Sequence, residues 1–288
     1  MSNSEVHFSK YHGLGNDYLV IDPNVHDVEL SPEAIRLICD RNFGIGSDGI
    51  LYGPLESKDG PRVRIFNPDG SEAEKSGNGL RIFAWYLFEN KYVAARDFTI
   101  ITAGGIVHVC IEDDHARLIR VEMGKITFLS TEIPVAGKER LVIDEELKVD
   151  GIAYRMTCLS IGNPHCVIPI EDVSESKARE IGPQVENHEL FPNRINMQLL
   201  RVIDRANIEI RIWERGAGYT LASGSSSCAA AGAAHRLGLV DERVNVKMPG
   251  GNLTVEIRDD GQILITGPVE GVFEGRFHCD LKEKIYGK

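Results

Sequence analysis

The chain has 288 residues, of which 42% are hydrophobic and 26% are charged, and this balance excludes a disordered protein. At about 150 residues per domain, the length predicts two domains. The net charge of −11 disfavours non-specific binding to nucleic acid or to an anionic membrane surface. We therefore expect no nucleic-acid partner and no membrane partner.

The N-terminus and the cysteines indicate where the protein resides. The first residues, MSNSEVHFSKYHG, lack the apolar run of a signal peptide, and no stretch reaches the roughly 18 apolar residues of a membrane-spanning helix. The six cysteines are scattered and form no C-x-x-C pair, which is typical of reduced thiols and not of a disulfide framework or a zinc site. The sequence predicts a soluble cytoplasmic protein without a bound metal.

The predicted elements of the first half alternate strands and helices. Residues 6–22 predict two strands joined by a Gly-Asn turn. Residues 31–39 predict a helix, since Ser caps helix N-termini and Pro fits the first helical turn. Residues 61–66 alternate charged and apolar side chains, as a strand with one solvent-exposed face does. An apolar helix over 80–89 and a hairpin over 98–109 follow.

The second half repeats much of this order. Residues 122–151 predict a charged connection between the halves, followed by two strands over 156–170. Residues 208–213 again predict a strand with one solvent-exposed face. An alanine-rich helix is predicted over 228–237 and a hairpin over 244–257.

Pairs of residues recur at one offset, 147 residues (223 − 76). Paired dipeptides in a single register indicate an internal duplication, and duplicated units fold alike. The sequence therefore predicts an α+β fold of two pseudo-symmetric domains, 1–121 and 122–271, each a curved, mostly antiparallel sheet around a central helix. The matched pairs are Ser76-Gly77 with Ser223-Gly224, Gly15-Asn16 with Gly162-Asn163, and Val20-Ile21 with Val167-Ile168.

Two Ser-Gly loops, 76–79 and 223–226, each lie where a loop becomes a helix. Ser, Asn and Gly satisfy the free amides at a helix start, so capping is the common use of such residues. The alternative is an anion site, in which helix N-terminal amides bind one carboxylate. Both interpretations stay open on the residues alone. The amides concerned are those of Gly77, Asn78, Gly224 and Ser225.

Four asparagines lie in β-rich contexts, where this residue is disfavoured. Turn formation explains those that follow Gly, and a polar lining of a binding cleft is the alternative. At the offset of the repeat, Asn67 aligns with Glu214, and Arg215 follows. This set of groups suits a pocket that holds both an amine and a carboxylate. The four asparagines are Asn16, Asn67, Asn163 and Asn196.

Signatures of several enzyme classes are missing. The sequence has no G-x-x-x-x-G-K-[ST], no H-E-x-x-H and no G-x-S-x-G. The segment 44–46 lacks the third glycine and the following acid of a dinucleotide loop, so we expect no nucleotide cofactor. His165 is either a substrate contact or a core histidine.

From Phe8 to about Gly267 the sequence resembles the diaminopimelate epimerase family of amino-acid epimerases, which use no pyridoxal phosphate. The resemblance implies two pseudo-symmetric domains with the active site in the cleft between them, an amino-acid substrate and no cofactor. The family's final strand often returns to the first domain, as the tail 272–288 would here. The motifs that carry the resemblance are 8–17 (FSKYHGLGND), 41–49 (RNFGIGSDG), 66–72 (FNPDGSE), 77–79 (GNG), 162–166 (GNPHC) and 213–218 (WERGAG).

The family inverts Cα with a base on one face and an acid on the other, and both are cysteines at helix N-termini. The resemblance places Ser76 and Ser223 at these catalytic positions and implies that their hydroxyls face each other across one tetrahedral carbon. It further implies that the reacting carboxylate is held by Gly77, Asn78, Gly224 and Ser225. The rest of the substrate would be bound by Asn16, Asn67, Asn163, His165, Asn196, Glu214 and Arg215.

The chain departs from the family pattern at several positions. The catalytic cysteines are replaced by Ser76 and Ser223, Tyr219 replaces a Glu, Gly49 replaces a Gln, and 226–227 are Ser-Ser in place of Gly-Ala. A cysteine pKa near 8.5 is readily tuned to neutrality, whereas an alcohol lies several units higher.

Together these observations predict an isomerase that interconverts L,L- and meso-diaminopimelate by two-base proton transfer, as a homodimer. One alternative is a related enzyme with one-sided proton chemistry, in which His165, Glu214 or Tyr219 is the base. The other alternative is a catalytically silent protein that binds a diamino acid.

Overall fold

The computed structural model describes residues 5–25, 28–113, 115 and 117–286. The chain divides into two compact units. Unit 1 consists of Met1–Val121 with Gly267–Lys288, and unit 2 consists of Glu122–Thr266. Among the described residues, no helix is long and apolar enough to cross a membrane.

The described residues form eighteen strands and five helices. In chain order these are β1 (His7–Gly13), β2 (Asn16–Ile21), α1 (Pro32–Cys39), β3 (Ile50–Leu55), β4 (Arg62–Phe66), β5 (Glu72–Ala73), α2 (Gly77–Glu89), β6 (Asp97–Thr102), β7 (Gly105–Ile111), β8 (Leu118–Lys125), β9 (Glu145–Val149), β10 (Ile152–Ser160), β11 (Pro164–Pro169), α3 (Glu175–Glu186), β12 (Asn196–Asp204), β13 (Asn207–Glu214), β14 (Gly218–Thr220), α4 (Gly224–Arg236), β15 (Arg243–Met248), β16 (Gly251–Ile257), β17 (Gln262–Pro268), β18 (Glu270–Arg276) and α5 (Cys279–Tyr286).

Unit 1 is a mostly antiparallel sheet with one helix packed on each face. The β2–β3 and β4–β6 pairs are parallel, and its other strand pairs are antiparallel. Side chains alternate between the faces of a strand, so Ile50 packs against α1 while Leu51 packs against Gly79 of α2. Most of α2 is buried, which makes it the central helix of the unit. C-terminal strand β18 pairs with β1.

Unit 2 has the same plan. Its strand pairs β11–β12 and β13–β15 are parallel, and the others from β9 to β17 are antiparallel. The central helix α4 is buried over most of its length. Helix α3 covers the other face, where Ile181 and Val185 pack against Met197 and Leu199 of β12.

The offset of 147 residues seen in the sequence is kept in the structure of the two units. Leu19 pairs with Ile50 across β2 and β3, and Cys166 pairs with Met197 across β11 and β12. Helices α2 and α4 are both 13 residues long, and their first residues lie 147 apart (224 − 77). Both units therefore share the same arrangement of paired strands and central helix.

Two local predictions need correction. Both central helices begin earlier than expected, at Gly77 and Gly224, because each preceding serine caps the helix from its own side chain. The segment 122–151 was expected to be a charged connection, but it belongs to unit 2 and forms β9. Its apolar side chains Ile133, Val142 and Leu147 are fully buried in the core of that unit.

Candidate active site

Ser76 is the N-cap of α2, and its hydroxyl has two partners. The Gly79 amide donates to Ser76 Oγ at 3.1 Å, which is the capping bond. The phenol of Tyr18, on β2, lies 3.0 Å from the same oxygen, and either hydroxyl can donate. The predicted catalytic serine of unit 1 is thus hydrogen-bonded to a phenol.

Two predicted binding residues of unit 1, Asn16 and Asn78, are hydrogen-bonded to each other. Asn78 Nδ2 donates to Asn16 Oδ1 at 2.9 Å, and Asn16 Nδ2 donates to Asp48 Oδ2 at 3.0 Å. Fully buried Arg81 donates from Nη2 to Asn78 Oδ1 at 2.8 Å. The structure therefore places Asn16 next to the first turn of α2, beside Gly77 and Ser76.

A charged cluster lies behind Asn16. Arg41 Nη2 lies 2.7 Å from Asp17 Oδ1 and 2.7 Å from Asp48 Oδ1, and Lys10 Nζ lies 2.7 Å from Asp17 Oδ2. Burial opposes ionisation of Asp17, but the hydrogen bonds from Arg41 and Lys10 outweigh it and lower its pKa to about 2. Burial and the neighbouring Asp17 raise the pKa of Asp48. The cluster fixes the carboxylate to which Asn16 donates.

Asn67 closes a turn in unit 1. Its Nδ2 donates to Ser71 Oγ at 3.0 Å, and its backbone amide donates to the Ser71 carbonyl at 2.8 Å. This contact matches the turn interpretation of the asparagine. A role of Asn67 in binding stays a prediction.

Ser223 is the N-cap of α4 and differs from Ser76 in its partners. The Ser226 amide lies 3.4 Å from Ser223 Oγ, and Ser225 Oγ lies 3.4 Å from it. The replacement of Gly-Ala by Ser at 226–227 also adds a bond from Ser227 Oγ to the Ser223 carbonyl at 2.8 Å. The side chains around the first turn of α4, next to Gly224, are thus small hydroxyls.

His165 is a fully buried histidine of unit 2 with both ring nitrogens engaged. Nε2 lies 3.0 Å from Asn163 Oδ1, and Nδ1 lies 3.1 Å from Gln198 Nε2, which also donates to Ser226 Oγ at 3.0 Å. Burial lowers the pKa of His165 to about 3, even though the Gln198 contact acts against it. The imidazole is neutral and enclosed, which argues against His165 as the base of a one-sided reaction.

Asn196 holds the turn that follows β13. Its Nδ2 donates to the Pro164 carbonyl at 2.8 Å, and its Oδ1 accepts from the Arg215 amide at 2.9 Å. The Arg215 side chain is exposed and donates from Nη1 to the Asn193 carbonyl at 3.1 Å. Glu214, the preceding residue, is partly exposed. Asn196 therefore positions the charged pair that the sequence singled out.

Two departures from the family pattern have a packing explanation. The Arg179 guanidinium lies 4.7 Å from the centre of the Tyr219 ring, which packs on the α3 side of the sheet. Tyr219 therefore packs on the face of the sheet opposite α4, the helix that Ser223 caps. A Cβ at Gly49 would lie 2.6 Å from Cε1 of Tyr18, so only glycine leaves room for that ring.

Three residues that support the site were not predicted from the sequence: Tyr18, Arg81 and Gln198. For Tyr18 a signal existed, because it aligns with His165 at the offset of the repeat (165 − 18 = 147). The other two are recognised only by their contacts. Among the described residues, one group of metal-ligating side chains lies close together, the exposed residues His278, Cys279 and Asp280, which include no predicted site residue.

Comparison with known proteins shows to which family the chain belongs. A family model described as "Diaminopimelate epimerase" matches residues 8–129 and 157–272. "Diaminopimelate epimerase 2" of Nostoc sp. (strain PCC 7120) is 54% identical over 275 residues, covering 95% of this chain and 96% of that protein. The chain belongs to the diaminopimelate epimerase family. "Diaminopimelate epimerase" of Moorella thermoacetica is 40% identical over 279 residues, covering 96% of this chain and 100% of that protein.

Solved structures confirm the α+β fold of this diaminopimelate epimerase family member. A phenazine biosynthesis protein of the PhzF family from Bacillus anthracis has a TM-score of 0.70 at 17% identity, covering 96% of this chain and 99% of that chain. A hydroxyproline epimerase from Agrobacterium vitis, solved with bound trans-4-OH-L-proline, has a TM-score of 0.70 at 12% identity, covering 96% and 94%. At these identities the likeness shows the fold alone.

Proposed function

We propose that the protein is an isomerase that interconverts L,L- and meso-diaminopimelate by moving the proton at Cα. The observation that carries the proposal is the matched pair of 13-residue helices, each N-capped by a serine side chain. Inversion needs one proton-active group for each face of Cα. Ser76 and Ser223 are the two equivalent groups that the duplication supplies, and family membership names the substrate.

The helix starts supply the electrostatics of the reaction. Removing the Cα proton leaves negative charge next to the carboxylate, and the positive end of a helix dipole stabilises such charge. The backbone amides of Gly77 and Asn78 in α2, and of Gly224 and Ser225 in α4, stand in the first turn of each helix. In the proposal these amides bind the reacting carboxylate.

The distal end of the substrate is assigned to unit 2. Glu214 and Arg215 are adjacent and not buried, so one anion and one cation lie side by side, as suits a second amine and a second carboxylate. Asn196 fixes the backbone of Arg215, which supports a preformed site for the distal end.

The test is α-proton exchange in deuterium oxide. L,L-Diaminopimelate incubated with the protein is expected to take up deuterium at Cα slowly while meso product forms. The double variant S76C/S223C should raise the rate by orders of magnitude, because a thiol is far more acidic than an alcohol. Either substitution alone should do little for inversion, since the other face keeps its alcohol. Faster turnover by the native protein than by the double variant would contradict this account of the serines.

A second candidate is one-sided proton exchange, which one observation favours. Ser76 has a phenol as partner, whereas Ser223 has a serine hydroxyl at 3.4 Å. Deuterium uptake at Cα without formation of the other stereoisomer identifies this candidate. Binding of diaminopimelate without any exchange identifies a silent binding protein.

We further propose a cytoplasmic homodimer. The six cysteines, all within the described residues, form no disulfide bond, which supports a reducing compartment. Strand β18 exposes the apolar side chains of Val272 and Phe273 about half, which supports contact with a second subunit. Analytical ultracentrifugation tests the assembly, and a monomer at all concentrations would exclude it.

A further inference from the structure

The contact between Tyr18 and Ser76 is a part-buried hydrogen bond between two hydroxyls. The Tyr18 side chain is 7% exposed and reaches Ser76 Oγ at 3.0 Å from β2. The Gly79 amide occupies one lone pair of that oxygen. The phenol therefore contacts the hydroxyl through its second lone pair or through its proton. When Tyr18 donates, the proton of Ser76 is free to point elsewhere. When Ser76 donates, a lone pair of Oγ is free to accept.

Gly49 makes this position of the ring possible. The Leu19 amide donates to the Gly49 carbonyl at 3.1 Å, which holds the glycine beside β2. A Cβ on Gly49 would meet Cε1 of Tyr18 at 2.6 Å and the backbone oxygen of Phe66 at 2.6 Å. Since the second contact is to a backbone atom, turning the Tyr18 ring aside would not make room for a side chain at position 49. The glycine that departs from the family pattern is thus tied to the placement of the phenol.

Unit 2 uses the equivalent position differently. His165, which aligns with Tyr18, contacts Asn163 and Gln198. Within the described part of unit 2, the partners of the Ser223 hydroxyl are the Ser226 amide and Ser225 Oγ, each at 3.4 Å. The two serine hydroxyls are therefore chemically unequal although their helices match.

We propose that Tyr18 is a positioning residue that makes Ser76 the more effective proton carrier of the two serines. The inference rests on the proposed function, and it assigns to Tyr18 the control of proton transfer on the face of Cα that Ser76 serves. A phenol, with a pKa of about 10, is a stronger acid than an alcohol, so a phenolate forms more readily than an alkoxide. The phenol acts through Ser76 because it contacts that hydroxyl directly.

The proton balance closes on these two residues. In the protonating direction, the Ser76 hydroxyl gives its proton to the Cα carbanion, a C–H bond forms, and Tyr18 passes its phenolic proton to Ser76 Oγ. Ser76 ends as an alcohol and Tyr18 as a phenolate. In the reverse direction the phenolate takes the Ser76 proton while Ser76 Oγ accepts the proton from Cα. No further reactant is needed.

The first test reads the environment of residue 76 without any substrate. In the S76C variant, the thiol is titrated by its pH-dependent alkylation, followed on the peptide by mass spectrometry. A donor at hydrogen-bond distance stabilises a thiolate, so adding Y18F should lower the alkylation rate at neutral pH by about tenfold. The matched control is Y52F, because Tyr52 on β3 donates to the Val28 carbonyl at 2.9 Å. Equal titration of S76C and S76C/Y18F would overturn the inference.

The second test uses the reaction. For the otherwise unchanged protein, Y18F is expected to lower kcat for α-proton exchange by about tenfold or more, with KM little changed, and to shift the basic limb of the pH profile. Y52F should alter neither. If the native protein exchanges no Cα proton, the proposed function fails, while the thiol titration still judges the pairing. If the native protein exchanges and Y18F has the same rate and pH profile, the inference fails alone.

Discussion

The indole of Trp213 donates from Nε1 to Glu186 Oε2 at 2.7 Å. The other oxygen of this buried carboxylate accepts from the Gly216 amide at 2.9 Å and from Arg194 Nη1 at 3.1 Å. One side chain at the end of α3 therefore holds both ends of the turn that carries Glu214. The charged pair assigned to the substrate's distal end depends on this carboxylate for its position.

The variant E186Q tests that dependence. An amide has one acceptor oxygen where the structure uses two, so Gln must turn a donor toward the Trp213 indole or the Gly216 amide. We expect the free energy of unfolding to fall by about 1.5–3 kcal/mol, the usual worth of a hydrogen bond to a charged group. Urea unfolding measures it. E189Q, at an exposed position three residues on, is the matched control. Equal stability of the two variants would show that the carboxylate does not hold the turn.

The close fit between α3 and Trp213 gives a second prediction. A Cβ at Gly182 would lie 2.5 Å from Cγ and 2.6 Å from Cδ2 of the Trp213 ring. Overpacking of this kind costs about 1–3 kcal/mol, against about 1 kcal/mol that Ala gains over Gly in a helix. We expect G182A to be destabilised in the native background and less so in a W213A background, which removes Cγ and Cδ2 and leaves only the Cβ of residue 213, 2.8 Å from the added methyl. The double-mutant cycle measures this coupling, and equal effects in both backgrounds would refute the packing account.

The duplicated framework was predictable because its signals are local. A serine before a helix caps it through its own side chain, and the same capping chemistry recurs at Ser76 and Ser223. Strand pairing follows the repeat closely enough that Leu19–Ile50 and Cys166–Met197 occupy the same register. The central helices, the hairpins and the repeated serine caps therefore follow from the chain itself, whereas the catalytic role of the two serines is implied by the family resemblance.

The contacts that define the site were not predictable, because they join residues distant in sequence. Helix α3 has a polar composition and contains Pro183, and its burial depends on the fit of Gly182 to Trp213. The segment 122–151 resembles a linker in sequence because it has many charged residues and only short apolar runs. Those runs nevertheless pack into the core of unit 2. The pairing of Tyr18 with Ser76 spans 58 positions and has no local sequence pattern.

His165 gives a prediction about pH. Burial lowers its pKa in the folded protein to about 3, whereas an unfolded histidine has a pKa of about 6.5. Between these values the unfolded state binds a proton that the folded state does not, so stability falls as the pH falls from about 6.5 toward 3. The contribution of one such group is at most about 1.4 kcal/mol per pH unit. We expect H165Q to remove this part of the slope between pH 6 and 4.

The measurement is urea unfolding at several pH values, compared by slope and not by absolute stability. The matched control is M197L, which alters the same buried sheet without changing a titrating group. M197L should keep the slope of the native protein. A native slope equal to that of H165Q would show that His165 titrates alike in the folded and unfolded states.

The last prediction concerns the ligand and the exposed cation of unit 2. Arg215 is held by Asn196 through its backbone and by the Asn193 carbonyl through its guanidinium, so its position is fixed before a ligand arrives. A second carboxylate on the ligand would pair with this guanidinium, and alanine has none. Calorimetric titration should therefore show that diaminopimelate binds more tightly than alanine. R215A should weaken diaminopimelate by about 1 kcal/mol, the upper end of what an exposed charge pair contributes.

Two controls separate this effect from a general change of charge. R205A removes an exposed arginine of the same unit, one that pairs with Asp241 at 2.6 Å, and should leave the affinity for diaminopimelate unchanged. R215K keeps the charge but not the planar fork of donors, so it should bind with intermediate affinity. Alanine should bind R215A and the native protein equally, because it does not reach the guanidinium. A preference of the native protein for a monocarboxylic amino acid would refute the substrate assignment and leave the family and the fold in place.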